Sequence, residues 1–114
     1  MKVSFNGYKS ILKTDWKKGL LPNVKRGLYG DVLTKSNVSL DHLRPVSKGG
    51  KTELCNLALA SKAKNEARGN QDLFEVLTSK QAIDYLKQFS AYQNYRQYIN
   101  ELIRTFEKLG VLWK

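Results

Sequence analysis

The chain contains one histidine, His42, which follows Asp41 at the end of the stretch VSLDH and precedes LRPVSKGG, with its proline and glycine pair. An imidazole, with an ordinary pKa of ~6.5, can take a proton from water near neutral pH. The carboxylate beside it is a hard oxygen ligand of the kind a divalent cation prefers. Asn56 lies fourteen residues beyond His42, and Asn65 nine beyond that. Their carboxamides can offer an oxygen to a cation or clasp a backbone. Hydrolysis of a phosphodiester needs a base for the attacking water and a counter-charge for the phosphate and the leaving oxygen. On a strand, Asp41 and His42 point to opposite faces, so one can hold a cation while the other reaches a water. Each residue alone has an ordinary explanation: a lone histidine is a common surface or core residue, and asparagines are common in turns.

Taken together, DHLRPVSKGG, ELCNLALASKAKN and NEARGN resemble the HNH nuclease family, including the HNH domain of the CRISPR effector nucleases, over residues 37–70. The resemblance implies an α+β fold with a ββα-metal (His-Me finger) core and additional C-terminal helices. Residues 1–114 would then be a single HNH nuclease domain, with the motif core at about 37–70 and a helical extension at about 72–110. The activity implied is metal-dependent DNA endonuclease, acting as a strand nickase or, if the helical end dimerises, as a double-strand cutter. His42 would be the general base, Asp41 and Asn65 would hold one divalent metal ion, and Asn56 would tie the loop and keep His42 oriented. Arg68 would support the transition state, since a guanidinium can grip a phosphate with two bonds. Arg44, Lys48, Lys51, Lys62, Lys64 and Arg68 would contact DNA phosphates. Asparagine in place of the third histidine makes this an HNN variant, which favours Mg2+ or Mn2+ over a softer, histidine-rich zinc or nickel site. The cysteine pairs that brace many HNH domains are missing, so residues 1–36 and 71–114 must brace the motif by packing. A small chain of this kind resembles phage or mobile-element nucleases, which implies the cytoplasm of a bacterial or phage-infected cell.

The charge distribution agrees with a phosphate-bearing partner. The net charge is +10, and residues 1–70 carry a balance of +9 against +1 for residues 71–114. A cationic surface kept for solubility would not concentrate its charge in the half that holds the histidine. The single cysteine, Cys55, excludes an intramolecular disulfide and paired CxxC zinc motifs. No apolar run approaches the length of a membrane span, and the first residues lack the apolar core of a signal peptide, so a soluble, unexported protein is expected.

The elements that must position these residues follow from pattern. NVSLDH alternates, with Val38, Leu40 and His42 on one face and Ser39 and Asp41 on the other, as in a half-buried strand that ends near Pro45. SKGGKTE reads as a solvent loop, and residues 54–60, LCNLALA, as a second strand. Ser61 is placed to cap a helix over KAKNEARG that stops at Gly69 or Asn70. Upstream, Gly19, Pro22, Gly27 and Gly30 suggest turns, with one short helix near Lys9 to Lys17. Downstream, Asp72 and Ser79 are candidate caps for two helices. A third run, Ala91 to Leu109, places Tyr92, Tyr95, Ile99, Leu102, Phe106 and Leu109 at steps of three and four. That stripe and the tyrosines at 85, 92, 95 and 98 suit core packing. A homodimer or partner-protein face on the C-terminal helices, and base stacking by the tyrosines, are the alternatives.

Two other functions fit part of this pattern. A ββα module could bind nucleic acid through its basic face without cutting, which needs none of the identities at 41, 42, 56 and 65. An RNA-directed nuclease would use the same chemistry on a different strand.

Overall fold

The computed structural model describes residues 11–112. The element order is α1 (Ile11–Lys17), β1 (Val38–His42), β2 (Leu57–Ser61), α2 (Lys62–Arg68), α3 (Leu73–Val76), α4 (Ser79–Lys87) and α5 (Arg96–Lys108). Mixed helix and strand of this kind is compatible with the expected α+β class. The first helix is seen from Ile11, and the expected start of that helix at Lys9 and Ser10 lies outside the described residues.

β1 and β2 form a two-stranded antiparallel sheet with Val38 opposite Ser61, Asp41 opposite Ala58 and His42 opposite Leu57. The alternation of VSLDH fixes the faces, since a one-residue slip would exchange them. The expected second strand, 54–60, starts later than its apolar pattern suggests. Leu54–Asn56 is a single 3-10 turn, and the strand runs from Leu57 to Ser61. A short apolar run does not distinguish strand from tight turn, and here the turn frees Asn56 to reach the preceding loop. Ser61 then caps α2 by accepting from the Lys64 amide at 3.3 Å, and Gly69 ends it with φ near 57°.

β2 is buried along its whole length, and its outer edge is closed by side chains and loops, with no third strand among the described residues. The Leu57 amide bonds to Leu54 O, and the Leu57 carbonyl accepts from the Tyr98 hydroxyl at 2.7 Å. The Leu59 amide donates to the Tyr85 hydroxyl at 3.0 Å, and the Leu59 carbonyl accepts from the Leu28 amide at 2.8 Å. Asp31 accepts from the Ser61 amide. Because the Tyr98 proton goes to Leu57, the 3.0 Å contact between the two tyrosines has Tyr85 as donor.

Helices α4 and α5 thus serve the sheet as well as the core. Tyr85, Phe89, Tyr95 and Tyr98 form an aromatic group with ring centroids 5.1 to 5.7 Å apart. It joins Leu12, Leu28, Val38, Leu59, Leu102 and Phe106 in one buried cluster. The expected packing role of Tyr85, Tyr95 and Tyr98 is therefore the one observed, and Tyr92 is half-buried with its oxygen accepting from the Asn23 amide at 2.7 Å.

Two expected caps differ in detail. Thr78, not Ser79, begins α4, with a reciprocal pair of bonds to Gln81 (Thr78 Oγ1 from the Gln81 amide, 3.1 Å; Gln81 Oε1 from the Thr78 amide, 2.9 Å). Ser79 instead donates to Val111 O at 2.6 Å. Asp72 precedes α3, but its carboxylate pairs with Lys48 at 2.8 Å and leaves the helix amides uncapped by its side chain. Among the described residues, no helix is long and apolar enough to cross a membrane.

Candidate active site

Asp41 and His42 close β1, and the loop that follows must turn sharply to return the chain to β2. Gly49 takes a left-handed φ of 92°, a conformation open to glycine at little cost. Gly50 lies so close to the chain that a Cβ there would stand 1.8 Å from the Arg44 carbonyl oxygen. Gly49 is thus favoured by its left-handed φ and Gly50 required by close backbone approach. Asn56 locks the same loop from beneath. Its Oδ1 accepts from the Arg44 amide at 2.9 Å, while its Nδ2 donates to the carbonyls of Arg44 at 3.1 Å and Lys51 at 2.9 Å. The loop-tying role expected of Asn56 matches this geometry.

Asn56, expected to keep His42 oriented, makes its hydrogen bonds to the loop backbone and not to the imidazole. The residue that touches the imidazole is Thr52, with Oγ1 2.9 Å from His42 Nε2. His42 is half-buried at the sheet end. Thr52 lacked a sequence signal, because nothing in SKGGKTE distinguishes it from other loop residues.

Asn65 lies on the face of α2 that packs on β1. Its Nδ2 donates to Leu40 O at 3.1 Å and to Ser39 Oγ at 3.3 Å. This sets its carboxamide against the backbone immediately before Asp41. Its Oδ1 makes no hydrogen bond among the described residues.

Asp41 departs from the half-buried strand pattern. Expected on a polar face, it is 2% exposed. Arg68, 4% exposed, donates from Nη1 to Asp41 Oδ1 at 2.7 Å, and the Tyr29 hydroxyl donates to Asp41 Oδ2. The same guanidinium donates to His42 O and Leu43 O at 2.7 Å each, and its Nε to Gln71 O at 3.0 Å. Burial pushes the Asp41 carboxyl above its ordinary range, while Tyr29 and Arg68 pull it back. Burial, then the Asp41 charge, raises the Tyr29 phenol, which keeps its proton as a donor.

The placement of Arg68 corrects the expectation that it grips phosphates and supports a transition state. Four of its five N–H donors are used inside the protein, on one carboxylate and three carbonyls, and a guanidinium 4% exposed presents no two-pronged fork to a surface ligand. It fastens α2 to the end of β1. Of the other expected phosphate contacts, Arg44, Lys51, Lys62 and Lys64 are exposed, and Lys48 is exposed but paired with Asp72.

The fit of a divalent cation can be judged from the donors. Among the described residues, no three of His, Cys, Asp and Glu gather, so a cation here would rest on Asp41 and the Asn65 amide oxygen. Both are hard oxygen donors, the type Mg2+ and Mn2+ prefer. Each Asp41 oxygen already accepts one hydrogen bond, from Arg68 or from Tyr29, so a cation would use the remaining lone pairs of that carboxylate. Arg68 remains as a competing positive charge on the same carboxylate. Sequence reasoning missed Tyr29, although the stretch LYGDVLTKSNVSLDH leads directly into the strand. Comparison of the chain with models of known protein families, with curated proteins and with solved structures found no match.

Proposed function

We propose that this chain is a metal-dependent DNA endonuclease of the HNH type, acting through a ββα-metal core made of β1, the loop, β2 and α2. The observation that carries the reading is the approach of Asn65 to the Leu40–Asp41 backbone while His42 projects from the next residue, beside a loop buckled by Asn56.

The chain's own residues account for much of the chemistry. Thr52 Oγ1 lies 2.9 Å from His42 Nε2; where Nε2 donates to it the lone pair is on Nδ1, and Nδ1 is then the atom that takes the proton from the attacking water. Asn56 holds the loop so that Thr52 stays in reach of the ring. Arg68 and Tyr29 fix the orientation of Asp41 from behind. Asp41 and Asn65 would hold the divalent ion, Mg2+ or Mn2+, which when bound supplies the counter-charge for the phosphate and the leaving oxygen. The exposed cations Arg44, Lys51, Lys62 and Lys64 support phosphate contact.

The test is supercoiled plasmid incubated with Mg2+ or Mn2+, with and without chelator, beside His42→Ala and beside structured RNA. Open-circular product identifies a nickase and linear product paired cuts; selective loss of the RNA would move the activity to that substrate. Equal cutting by His42→Ala overturns the mechanism. A second reading, a basic module that binds without cutting, is favoured by the buried Arg68 cation already on Asp41. Salt-sensitive binding with no cleavage under any divalent ion would establish it.

A further inference from the structure

Thr52 stands in a loop whose backbone is fixed on both sides of it. Asn56 Nδ2 holds the Lys51 carbonyl at 2.9 Å, and the Asn56 amide donates to Glu53 O at 2.8 Å. Opposite, Arg68 holds the His42 carbonyl at 2.7 Å, and the Leu43 amide donates to Asn56 O at 2.8 Å. One residue, Asn56, therefore ties the backbone beside both members of the Thr52–His42 contact. The freedom left is in the two side chains, and a threonine, branched at Cβ, is stiff. Its Oγ1 lies 2.9 Å from His42 Nε2 and has no other partner among the described residues, while Nδ1 of the ring makes no hydrogen bond among them.

A hydroxyl can serve Nε2 in two ways: it donates to the bare nitrogen, or it accepts from Nε2–H. The first covers the Nε2 lone pair and puts the ring proton on Nδ1, so neither nitrogen is open to a proton from water. The second leaves Nδ1 open. Once the ring is charged both nitrogens donate, and only an accepting oxygen suits Nε2. Acceptance by Thr52 thus keeps one hydrogen bond through proton uptake, and that bond strengthens as its donor gains charge. Thr52 is exposed, so its own proton goes to water.

We infer that Thr52 is a positioning residue for His42: its hydroxyl accepts from Nε2–H, holds the ring, and so assigns proton uptake to Nδ1. The inference rests on the endonuclease reading for the use of that proton, and it goes further by naming the side chain that selects the nitrogen. Thr52 acts through His42 alone.

His42 is the only histidine, so its ring gives a single set of signals in long-range 1H–15N correlation spectra of the full chain. Spectra are recorded in chelator at pH ~8.5, where an imidazole with the ordinary pKa of ~6.5 is uncharged. The two 15N shifts then give the ratio of Nε2–H to Nδ1–H, which is expected to favour Nε2–H in the parent. Thr52→Val keeps the shape and removes the hydroxyl. It is expected to move the ratio towards Nδ1–H by ~2- to 13-fold, the worth of one neutral hydrogen bond, and Thr52→Ser to restore it. On plasmid with Mg2+, Thr52→Val is expected to lower kcat by a similar ~2- to 13-fold at unchanged KM, again with recovery in Thr52→Ser. Circular dichroism shows whether each variant is folded. A parent ring with Nδ1–H in excess overturns the proposal without any variant. So does a ratio unmoved by Thr52→Val, the result if Thr52 merely braces the loop, or a kcat unmoved where the native chain cuts. The ratio is read without substrate. A ratio that responds to Thr52 with no cutting by the native chain therefore refutes only the nuclease, and cutting with an unresponsive ratio refutes only the assignment of Thr52.

Discussion

Arg68→Met tests the buried network most directly. The substitution keeps the length and apolar stem of the side chain and removes the guanidinium. Both partners of the Arg68–Asp41 pair are nearly solvent-free, with side-chain exposures of 2% and 3%, so the interior range applies. Removing one member of such a pair costs about 3–5 kcal/mol, because the other charge is left buried and alone. The carbonyls of His42, Leu43 and Gln71 lose a charged donor at the same time, but these losses share one side chain and do not add independently. A chain of this length has a total stability of roughly 6–17 kcal/mol, so the change should shift the urea midpoint far down. Asp41→Asn in the same chain removes the orphaned charge, and the double variant should recover about 2 kcal/mol relative to Arg68→Met. The exposed Lys80–Asp84 pair, at 2.7 Å with exposures of 85% and 53%, is the control, and Lys80→Met should move stability by under ~1 kcal/mol. A loss below about 1 kcal/mol for Arg68→Met, or a double variant no more stable than the single, would refute the account of Arg68 as the clamp on Asp41.

Asn56→Ala should cost about 2–3 kcal/mol, since three part-buried loop groups lose their partner, and hydrogen exchange at the Arg44 amide should accelerate sharply. Thr78→Ala should lower stability by about 1 kcal/mol with faster exchange in the first turn of α4, and an undiminished helix would assign the cap elsewhere. Burial, reinforced by Glu53, raises the Cys55 thiol above its ordinary range. Its alkylation rate should therefore inflect above pH ~8.5, the value for a free cysteine. The sign for stability follows: the folded chain holds that proton more tightly than the unfolded one, so the contribution is complete below the unfolded pKa and is lost as pH rises through the folded value. Alkylation that inflects at or below the free-thiol value would contradict the environment described for Cys55.

The strand, loop, strand, helix order was legible because each boundary carries a local cause. VSLDH alternates, Gly49 and Gly50 permit a turn that other residues could not enter, and Ser61 and Gly69 bracket α2. Asn56 was legible as a loop tie, since a carboxamide both donates and accepts and the loop has both needs. Arg68 was misread because an arginine in a basic stretch is ordinarily placed in water. What buries it is Asp41, twenty-seven residues earlier, together with carbonyls that have no donor within the strand pair. Tyr29 and Thr52 were missed for the same reason: a phenol and a hydroxyl acquire their roles from what the fold brings to them. The shift from Ser79 to Thr78 is a smaller case, decided by the reach of Gln81.

The closure of β2 by two phenols, one carboxylate and the Leu28 amide limits what can be done with this core in isolation. A fragment cut at residue 70 would keep Leu28 and Asp31 but lose both tyrosines, leaving the Leu57 carbonyl and the Leu59 amide unpaired at the edge of a nearly all-apolar strand, an invitation to edge-to-edge self-association. Grafting the motif onto another scaffold would require the tyrosines of α4 and α5, or equivalent hydroxyl donors and acceptors, to travel with it.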